Sequence, residues 1–277
     1  MSHERGKERK TSLRLQAYTM KIEKIKEEKK KSKLVLLFKE CDEVFANTIR
    51  RLILEEVPTL AVEDLEIKDN SSALYDEMLG LRLGLTPLKT DLKTYDFKET
   101  CKCNGEGCAR CELKMTLKVG RKGYVYAEDA HSADPKCIFV HPKMPLVKLL
   151  AKQKVDITLT AILGKGKDHA KWAPGWAYYK KEPVLTLGKV ADPQFIASRS
   201  SDGVLVLKGN KLDVDEEKVR ESNLLEYYAE LDKGISIEYT DNIIFTLENW
   251  GQLSSKEIFT QSAEILVQKA EELESQL

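Results

Sequence analysis

The amino-acid sequence predicts an α+β protein, on three observations. Apolar residues within 45–57 recur at three- and four-residue steps, which places them on one face of a helix that ends before Pro58. Residues 155–163 alternate between apolar and polar side chains, as expected for a strand. A second long helix is expected at the end of the chain, where apolar residues repeat at four- and three-residue steps over 259–277.

The first third of the chain is expected to form a hairpin, two helices and a strand. Residues 1–11 are mostly charged, and we expect them to be a disordered arm. Asp69-Asn70-Ser71-Ser72 favours the start of a short helix that Gly84 closes. The predicted order is a strand at 18–22, a charged tip at 26–33, a returning strand at 34–38, the opening helix at 45–57, a strand at 60–67 and the short helix at 74–83.

The middle of the chain is expected to be mainly β. The predicted elements are strands at 114–119 and 123–127, an irregular stretch at 130–145, a short helix at 146–151 and the strand at 155–163. A loop rich in Gly, Lys and Pro follows at 164–175. Its Gly164-Lys165-Gly166-Lys167 invites comparison with a phosphate-binding loop, but the spacing of the P-loop signature is absent. We therefore expect no phosphate site there.

Residues 192–232 differ from the rest in composition. They combine polar turns with a short apolar run at 204–207 and a helix-like pattern over 213–228. Two alternating runs follow, at 235–239 and 243–247, and we interpret them as strands on either side of the turn-prone Asp241-Asn242.

The closing helix has the clearest start signal in the sequence. Ser254 followed by Glu257 fits a capping box, in which each residue bonds the backbone amide of the other. The apolar seam that follows is too short to be stable alone, so it requires a second helix to pack against. The opening helix of the same chain is one candidate for that partner.

Composition excludes several classes of protein. Lys plus Arg number 45 and Asp plus Glu number 45, so the formal net charge is zero. A protein that mainly binds nucleic acid is expected to be basic, because it neutralises phosphates. The sequence contains no apolar run long enough to span a bilayer and no signal-peptide core, so we expect a cytoplasmic protein. In that compartment its six cysteines would be reduced, as metal ligands or buried thiols.

Four of these cysteines lie within eleven residues. Cys101, Cys103, Cys108 and Cys111 offer four soft thiolate ligands, which suit a tetrahedral zinc ion. Because four protein ligands leave no open coordination position, such an ion would be structural. Reduced thiols or an adventitious ion are the alternatives. Cys41 and Cys137 stand apart, and we expect both to be buried thiols.

Several motifs in series resemble one protein family. They are Asn47-Thr48-Ile49-Arg50-Arg51 with Glu56-Val57-Pro58-Thr59-Leu60-Ala61, Asp76-Glu77-Met78-Leu79 with Arg82-Leu83-Gly84-Leu85-Thr86-Pro87-Leu88, Asp168-His169-Ala170-Lys171-Trp172-Ala173-Pro174, and Gly251-Gln252-Leu253. Their identity and order resemble the family of the D-type subunit of archaeal RNA polymerase, the third-largest subunit of eukaryotic RNA polymerase II and the amino-terminal domain of the bacterial RNA polymerase α chain. The likeness spans most of the chain.

The resemblance implies a discontinuous fold. Residues 12–58 and 234–277 would form a dimerisation domain, an antiparallel sheet plus two helices. A mainly β domain at 59–191, with the Cys-rich loop at 101–111, would be inserted into it. Residues 192–233 would be a degenerate ferredoxin-like segment, and since no cysteine follows Cys137, we expect no iron–sulfur cluster there. Eukaryotic relatives hold zinc in a loop similar to 101–111, which supports the zinc prediction.

The resemblance also implies a function in assembly. The chain would be a non-catalytic subunit that pairs with the small subunit L, is joined by subunits N and P, and supports the large catalytic subunits. It would meet DNA only through the complex, and would need neither a membrane nor a small-molecule substrate. The residues expected at the pairing interface are Phe45, Ile49, Arg50, Leu52 and Ile53 in the opening helix and Phe259, Ala263, Leu266, Ala270 and Leu273 in the closing helix.

Two alternatives from other classes remain open to the sequence. One is a free-standing zinc-containing module that binds nucleic acid through the metal loop and the lysine-rich stretches; zero net charge disfavours it. The other is a redox or hydrolytic enzyme that uses the cysteine loop, which would require an exposed thiol of low pKa. We find no nucleophile elbow, Walker motif or cluster of paired carboxylates, and therefore predict no catalytic residue in this chain.

Overall fold

The computed structural model of the protein describes residues 20–28 and 32–277. The predicted arm at 1–11, and parts of the predicted first strand and charged tip, lie outside these residues. The strands are β1 (Lys21–Glu28), β2 (Lys33–Lys39), β3 (Thr59–Asn70), β4 (Leu113–Val119), β5 (Gly123–Tyr126), β6 (Ala130–Ser132), β7 (Pro145–Leu149), β8 (Val155–Gly164), β9 (Gly175–Leu187), β10 (Leu205–Lys208), β11 (Lys211–Val214) and β12 (Ile235–Asn249). The helices are α1 (Glu43–Glu55), α2 (Asp76–Gly84), α3 (Pro193–Arg199), α4 (Glu216–Glu221), α5 (Leu225–Leu231) and α6 (Ser255–Gln276).

The two ends of the chain share one antiparallel sheet. Its strand order is β1-β2-β12-β9, and α1 and α6 pack against one face. At the centre of this core the rings of Phe38 and Phe245 stack with centroids 5.2 Å apart. Ile53 and Ile258 are fully buried beside them, one from each helix. A large apolar side chain buried in this way stabilises the fold by about 1.5–3 kcal/mol.

Local signals in the sequence set the ends of both helices. The Asp42 carboxylate accepts a hydrogen bond from the amide of Phe45 at 2.7 Å and caps the start of α1. The capping box of α6 is confirmed, because the amide of Glu257 donates to Ser254 Oγ and the amide of Ser254 donates to the Glu257 carboxylate. α1 ends two residues before Val57, whose helical conformation Pro58 disfavours.

The middle of the chain forms a second antiparallel sheet with its own core. The strand order is β3-β8-β4-β6, and β5 and β7 form a separate pair beside it. In β4 buried and exposed residues alternate strictly, so Leu113, Met115 and Leu117 enter the core. The mixed α+β fold is confirmed, with a Cys-rich loop inserted between α2 and β4.

A third, smaller core lies under the far ends of β9 and β12. Helices α3, α4 and α5 and the β10–β11 hairpin bury Ile196, Val219 and Tyr228 there. The Asp202 carboxylate fixes this region, because it accepts hydrogen bonds from Tyr228 Oη at 2.6 Å, from Ser222 Oγ and from the amide of Val204. An apolar core and this polar network therefore order residues 192–233 through side chains other than cysteine.

The predicted helix at 146–151 is wrong. Residues 145–149 form strand β7, which pairs antiparallel with β5 through Val147 and Val125. The short apolar run fits a helix or a strand equally well by period. Pairing with β5, which buries Leu146 and Leu149 in the second core, decides the outcome.

The predicted helix at 213–228 is also wrong in extent. Asp213 lies in β11, and two short helices follow, α4 and α5. Ser222 separates them: it has an extended backbone, and its hydroxyl donates to Asp202 and accepts from the amide of Leu224. A side chain that bonds nearby backbone in this way competes with helix continuation.

Residues 235–249 form one strand, with a change of register between Tyr239 and Ile243 instead of the predicted turn. The buried carboxylate of Glu182, on β9, accepts a hydrogen bond from Asn242 Nδ2 at 2.8 Å and holds this irregular stretch. Bulges of this kind bend a strand without ending it.

Several element boundaries also differ from the predictions. β1 continues to Glu28 into the predicted tip, and a three-residue strand, β6, lies in the stretch predicted to be irregular. α2 begins at Asp76, two residues later than predicted, and Asp69 and Asn70, which the sequence suggested would favour a helix start, are the last residues of β3. β9 was not predicted, because the alternation of apolar and polar residues fails at Tyr178-Tyr179-Lys180-Lys181 and the strand contains Pro183. A proline is tolerated there because β9 is an edge strand of its sheet.

Candidate metal centre and pairing surface

The four predicted ligands meet in one place, between a 3-10 turn at Lys98–Thr100 and β4. The Sγ atoms of Cys101 and Cys108 lie 3.6 Å apart, as do those of Cys103 and Cys111. All four sulfurs lie within 4.8 Å of one another. Four sulfurs bound at about 2.3 Å around a tetrahedral metal are separated by about 3.8 Å, so this spacing fits a four-thiolate site.

The backbone of the loop turns sharply to bring the sulfurs together. Asn104, Gly105 and Gly107 have positive φ angles, a conformation that glycine adopts without strain. A Cβ on Gly107 would lie 2.6 Å from the Glu112 carboxylate, so a larger residue there would also displace the Glu112 side chain. The amide of Cys108 donates to the sulfur of Cys111 at 3.3 Å, and this contact holds that sulfur within the cluster.

The protonation of the thiols depends on position within the cluster. Burial raises the pKa of Cys111 to about 12, and the neighbouring thiols act in the same direction. Burial would also raise the pKa of Cys103, but amide hydrogen bonds from Gly107 and Gly105 and the adjacent thiols lower it to about 7. Because several adjacent thiolates would repel one another, full ionisation of the cluster requires a bound cation.

The other two cysteines lie away from this cluster. Cys137 is buried in the second core, and burial raises its pKa to about 11. Cys41 is half-buried just before α1. Within the described part of the chain, the four cysteines of the loop form the one set of three or more His, Cys, Asp or Glu side chains arranged to hold a metal ion.

The predicted interface residues of α1 divide into two sets. Ile49 and Ile53 are fully buried in the first core of their own chain, and Leu52 is also buried. Phe45 and Arg50 are half-buried, and Arg50 Nε donates to Asn47 Oδ1 at 3.0 Å. Ile49 and Ile53 are therefore core residues of their own chain. Any contact between α1 and a partner would be made by Phe45, Arg50 and Leu52.

The predicted interface residues of α6 lie beside the face that the chain itself covers. Ile258 and Ser262 are fully buried against the first core, whereas Phe259 and Leu266 are half-buried. Ala263, Ala270 and Leu273 are exposed. At 100° per residue these five predicted residues form one stripe, about a quarter-turn from the buried face. From Val267 onward every residue of α6 is exposed.

A glutamate that the sequence analysis did not single out fixes the orientation of α6. The Glu56 carboxylate, at the end of α1, is 3.2 Å from Lys269 Nζ and 3.0 Å from Lys165 Nζ. A third lysine, Lys167, lies 3.6 Å away. The Glu56 side chain is only 12% exposed, so these cations lie around a largely desolvated carboxylate. Lys269 thus gives α6 a contact with α1 within its otherwise exposed half.

The Gly164-Lys165-Gly166-Lys167 motif belongs to this arrangement. The amide of Lys167 donates to the carbonyl of Glu55 at 3.0 Å, at the C-terminal end of α1. A Cβ on Gly166 would lie 1.9 Å from the carbonyl oxygen of Leu54, so only glycine permits the approach. Amides and ammonium groups are favoured at a helix C-terminus, where carbonyls lack partners. The motif therefore contacts protein.

Comparison with known proteins identifies the family of this chain. The DNA-directed RNA polymerase subunit Rpo3 of Methanosarcina acetivorans is 34% identical to this chain over 261 residues, which cover 92% of this chain and 97% of the relative. The chain belongs to the Rpo3 family of DNA-directed RNA polymerase subunits. The family resemblance inferred from the sequence motifs is thereby confirmed.

Two further Rpo3 proteins give the same result. That of Methanosarcina mazei is 36% identical over 235 residues, covering 83% of this chain and 88% of the relative. That of Pyrococcus furiosus is 33% identical over 257 residues, covering 90% and 95%. The RNA polymerase Rpb3/RpoA insert domain family matches residues 65–175, a range that contains the cysteine loop and most of the second sheet.

Among the described residues, 20–28 and 32–277, no helix has the length and apolarity to cross a membrane.

Proposed function

We propose that this chain is a non-catalytic assembly subunit of a cytoplasmic DNA-directed RNA polymerase. It pairs with the small subunit L, is joined by subunits N and P, and supports the large catalytic subunits. DNA contacts it only through the complex. Membership of the Rpo3 family supports the polymerase assignment, and the exposed stripe on α6 supports a pairing function.

The stripe on α6 is the observation on which the pairing proposal rests. Over its second half α6 makes one described ion pair to its own chain, Lys269 to Glu56, and exposes Ala270 and Leu273. A helix with two or three exposed turns is marginal in water, because its stability comes mainly from packing. Apolar burial against a permanent partner would supply that packing.

The proposed interface uses the two helices differently. Phe45, Arg50 and Leu52 of α1 would border it, while Ile49 and Ile53 support it from inside the core. Phe259, Ala263, Leu266, Ala270 and Leu273 of α6 would contact L directly. The dimerisation domain would comprise 12–58 and 234–277, the insert 59–191, and the ferredoxin-like segment 192–233. Strand β9, within the range of the insert, pairs with β12 and thus belongs to the sheet of the dimerisation domain.

We further propose that the cysteine loop binds zinc. The support is the spacing of the four sulfurs and the absence of an open position in a four-thiolate set. The ion would fix a loop that has little apolar core of its own, since metal binding and local folding are one equilibrium. It would take no part in a reaction.

The nucleic-acid-binding alternative has less support. The net charge is zero, and the lysines of the 164–167 motif lie 3.0 and 3.6 Å from the Glu56 carboxylate, which partly neutralises them. The enzyme alternative would use the cysteine loop, but four thiols spaced as metal ligands leave none of them free for another reaction.

Co-expression with L tests the proposal. The chain with a Leu266→Asp substitution should lose pairing with L, because a charge would enter the proposed interface. Ile49→Asp should also abolish pairing, but by unfolding the first core, since Ile49 is 1% exposed. Circular dichroism of each variant separates the two causes. Normal co-purification of L with a folded Leu266→Asp chain would refute the assignment of α6.

A further inference from the structure

A second exposed apolar surface lies on helix α2, which packs against the second sheet. Tyr75, Met78, Leu81 and Leu85 are 81%, 50%, 54% and 52% exposed. Met78, Leu81 and Leu85 recur at three- and four-residue steps and lie on one side of the helix. We name these three residues and Tyr75 the α2 stripe. Large apolar side chains are normally exposed singly, so four within eleven residues indicate a binding surface.

The α2 stripe is held rigidly by the opposite side of the helix. Leu79 and Leu83 are fully buried in the second core. A Cβ on Gly80 would lie 3.0 Å from Leu65 Cδ1, so the backbone of α2 lies close against β3. Arg82 donates to the carbonyls of Leu146 and Pro145 at 2.8 and 2.6 Å, which ties the helix to β7. The stripe is therefore presented in one orientation without further ordering.

A groove of about 310 Å³ runs along one flank of this stripe. Leu65, Leu81 and Leu85 form its apolar walls, and Asp64 and Glu77 lie at its rim. Within the part of the chain that the structure describes, no hydrogen bond or ion pair is found for either of these two carboxylates. Lys171, also at the rim, is already paired with Glu63 and with the carbonyl of Val62. The groove therefore has a mixed lining, in which leucine side chains of the stripe lie beside two carboxylates that have no partner within the described residues.

We propose that the α2 stripe and its acidic groove dock an apolar segment flanked by lysine or arginine, on a subunit of the polymerase other than L. This inference rests on the proposed function. Charge complementarity selects a basic flank, since Asp64 and Glu77 would pair with it. The principal contacts of α2 within the chain are with β3 and β7, whereas the proposed site for L lies on α1 and α6. The two sites therefore lie on different sheets and can be occupied together.

Polymerase reconstituted from purified subunits provides the test. One variant combines Leu81→Asp with Leu85→Asp, and a second reverses the rim charges with Asp64→Lys and Glu77→Lys. The matched control is Leu150→Asp, because Leu150 is 55% exposed on the same half of the molecule but outside the groove. In parallel, a photo-crosslinking amino acid replaces Met78 in otherwise unchanged complex.

We expect both variants to pair with L and to retain metal as the wild type does. Each should bind one further subunit at least about 30-fold more weakly, which is the loss expected when a binding hot spot is removed. In the charge-reversed variant the salt dependence of that step should change sign, because salt weakens the wild-type attraction but relieves the repulsion between the new lysines and a basic flank. The crosslink at position 78 should join that same subunit, and Leu150→Asp should assemble normally.

The inference fails if both variants assemble every subunit with wild-type affinity, or if the crosslink joins L, a second copy of this chain or nucleic acid. Failure of the wild-type chain to pair with L would instead refute the proposed function. Because pairing with L is measured in every sample, the two failures can be distinguished.

Discussion

Leu273→Asp gives the most informative perturbation of the pairing surface, because Leu273 supports nothing within its own chain. It is 60% exposed and lies in the free half of α6. Full burial of a leucine side chain contributes about 1.5–3 kcal/mol, so covering the exposed part contributes about 1–2 kcal/mol. An aspartate there would lose this term and leave an unpaired charge in the interface, at a further cost of about 3 kcal/mol.

The sum, about 4–5 kcal/mol, weakens pairing with L by about 10³-fold. The unfolding free energy of the isolated chain should change by no more than about 0.5 kcal/mol, as for other surface positions. Titration of labelled L with each variant measures the affinity. Ser275→Asp is the control: it adds the same charge two residues away, on the opposite side of α6. Equal affinity for wild type and Leu273→Asp would refute the reasoning.

The remaining predictions concern the metal centre and the carboxylate between the helices. Cys108→Ser should lower the zinc content, measured by elemental analysis, and increase proteolysis within 101–111, while pairing with L persists; equal zinc in mutant and wild type would count against the site. Glu56→Gln should destabilise the chain by about 1 kcal/mol at neutral pH. Although burial opposes ionisation of Glu56, Lys165 and Lys269 hold its pKa below the usual 4.5. The difference in unfolding free energy between wild type and Glu56→Gln should therefore be constant above pH 4.5 and shrink as the pH falls below it. Denaturant unfolding at several pH values measures it, and a difference that grows in acid would contradict the ion-pair account.

Much of the first core could be predicted from sequence because its signals are local. The stop at Pro58 and the capping box at Ser254 each act within four residues. The cysteine cluster was equally accessible, since the spacing of thiols and glycines within 101–111 restricts how the loop can fold. Such features do not depend on distant parts of the chain.

The errors arose where distant contacts decide local structure. The spacing of apolar residues within 146–151 is compatible with the predicted helix, yet pairing with β5 makes 145–149 a strand. Glu182 holds Asn242 within a continuous strand although Asp241-Asn242 favours a turn. The pairing of β5 with β7 and the hydrogen bond between Glu182 and Asn242 each join residues far apart in the sequence. The local sequence pattern therefore could not have indicated either contact.

The function of single residues was hardest to predict. Periodicity placed Ile49 and Leu273 on equivalent apolar faces, but it cannot tell which face the chain itself covers. Glu56 was part of a recognised motif, whereas its contacts with Lys165 and Lys269 join segments more than 100 residues apart. Only the assembled fold distinguishes a core residue from a surface left for a partner.

Hydrogen exchange of α6 with and without L tests the central claim most directly. Residues 267–276 are all exposed in the isolated chain, so their amides should exchange rapidly there. Saturation with L should slow their exchange at least tenfold, while the amides of β4, buried in the second core, change little. Unchanged rapid exchange of 267–276 in a saturated complex would contradict the account.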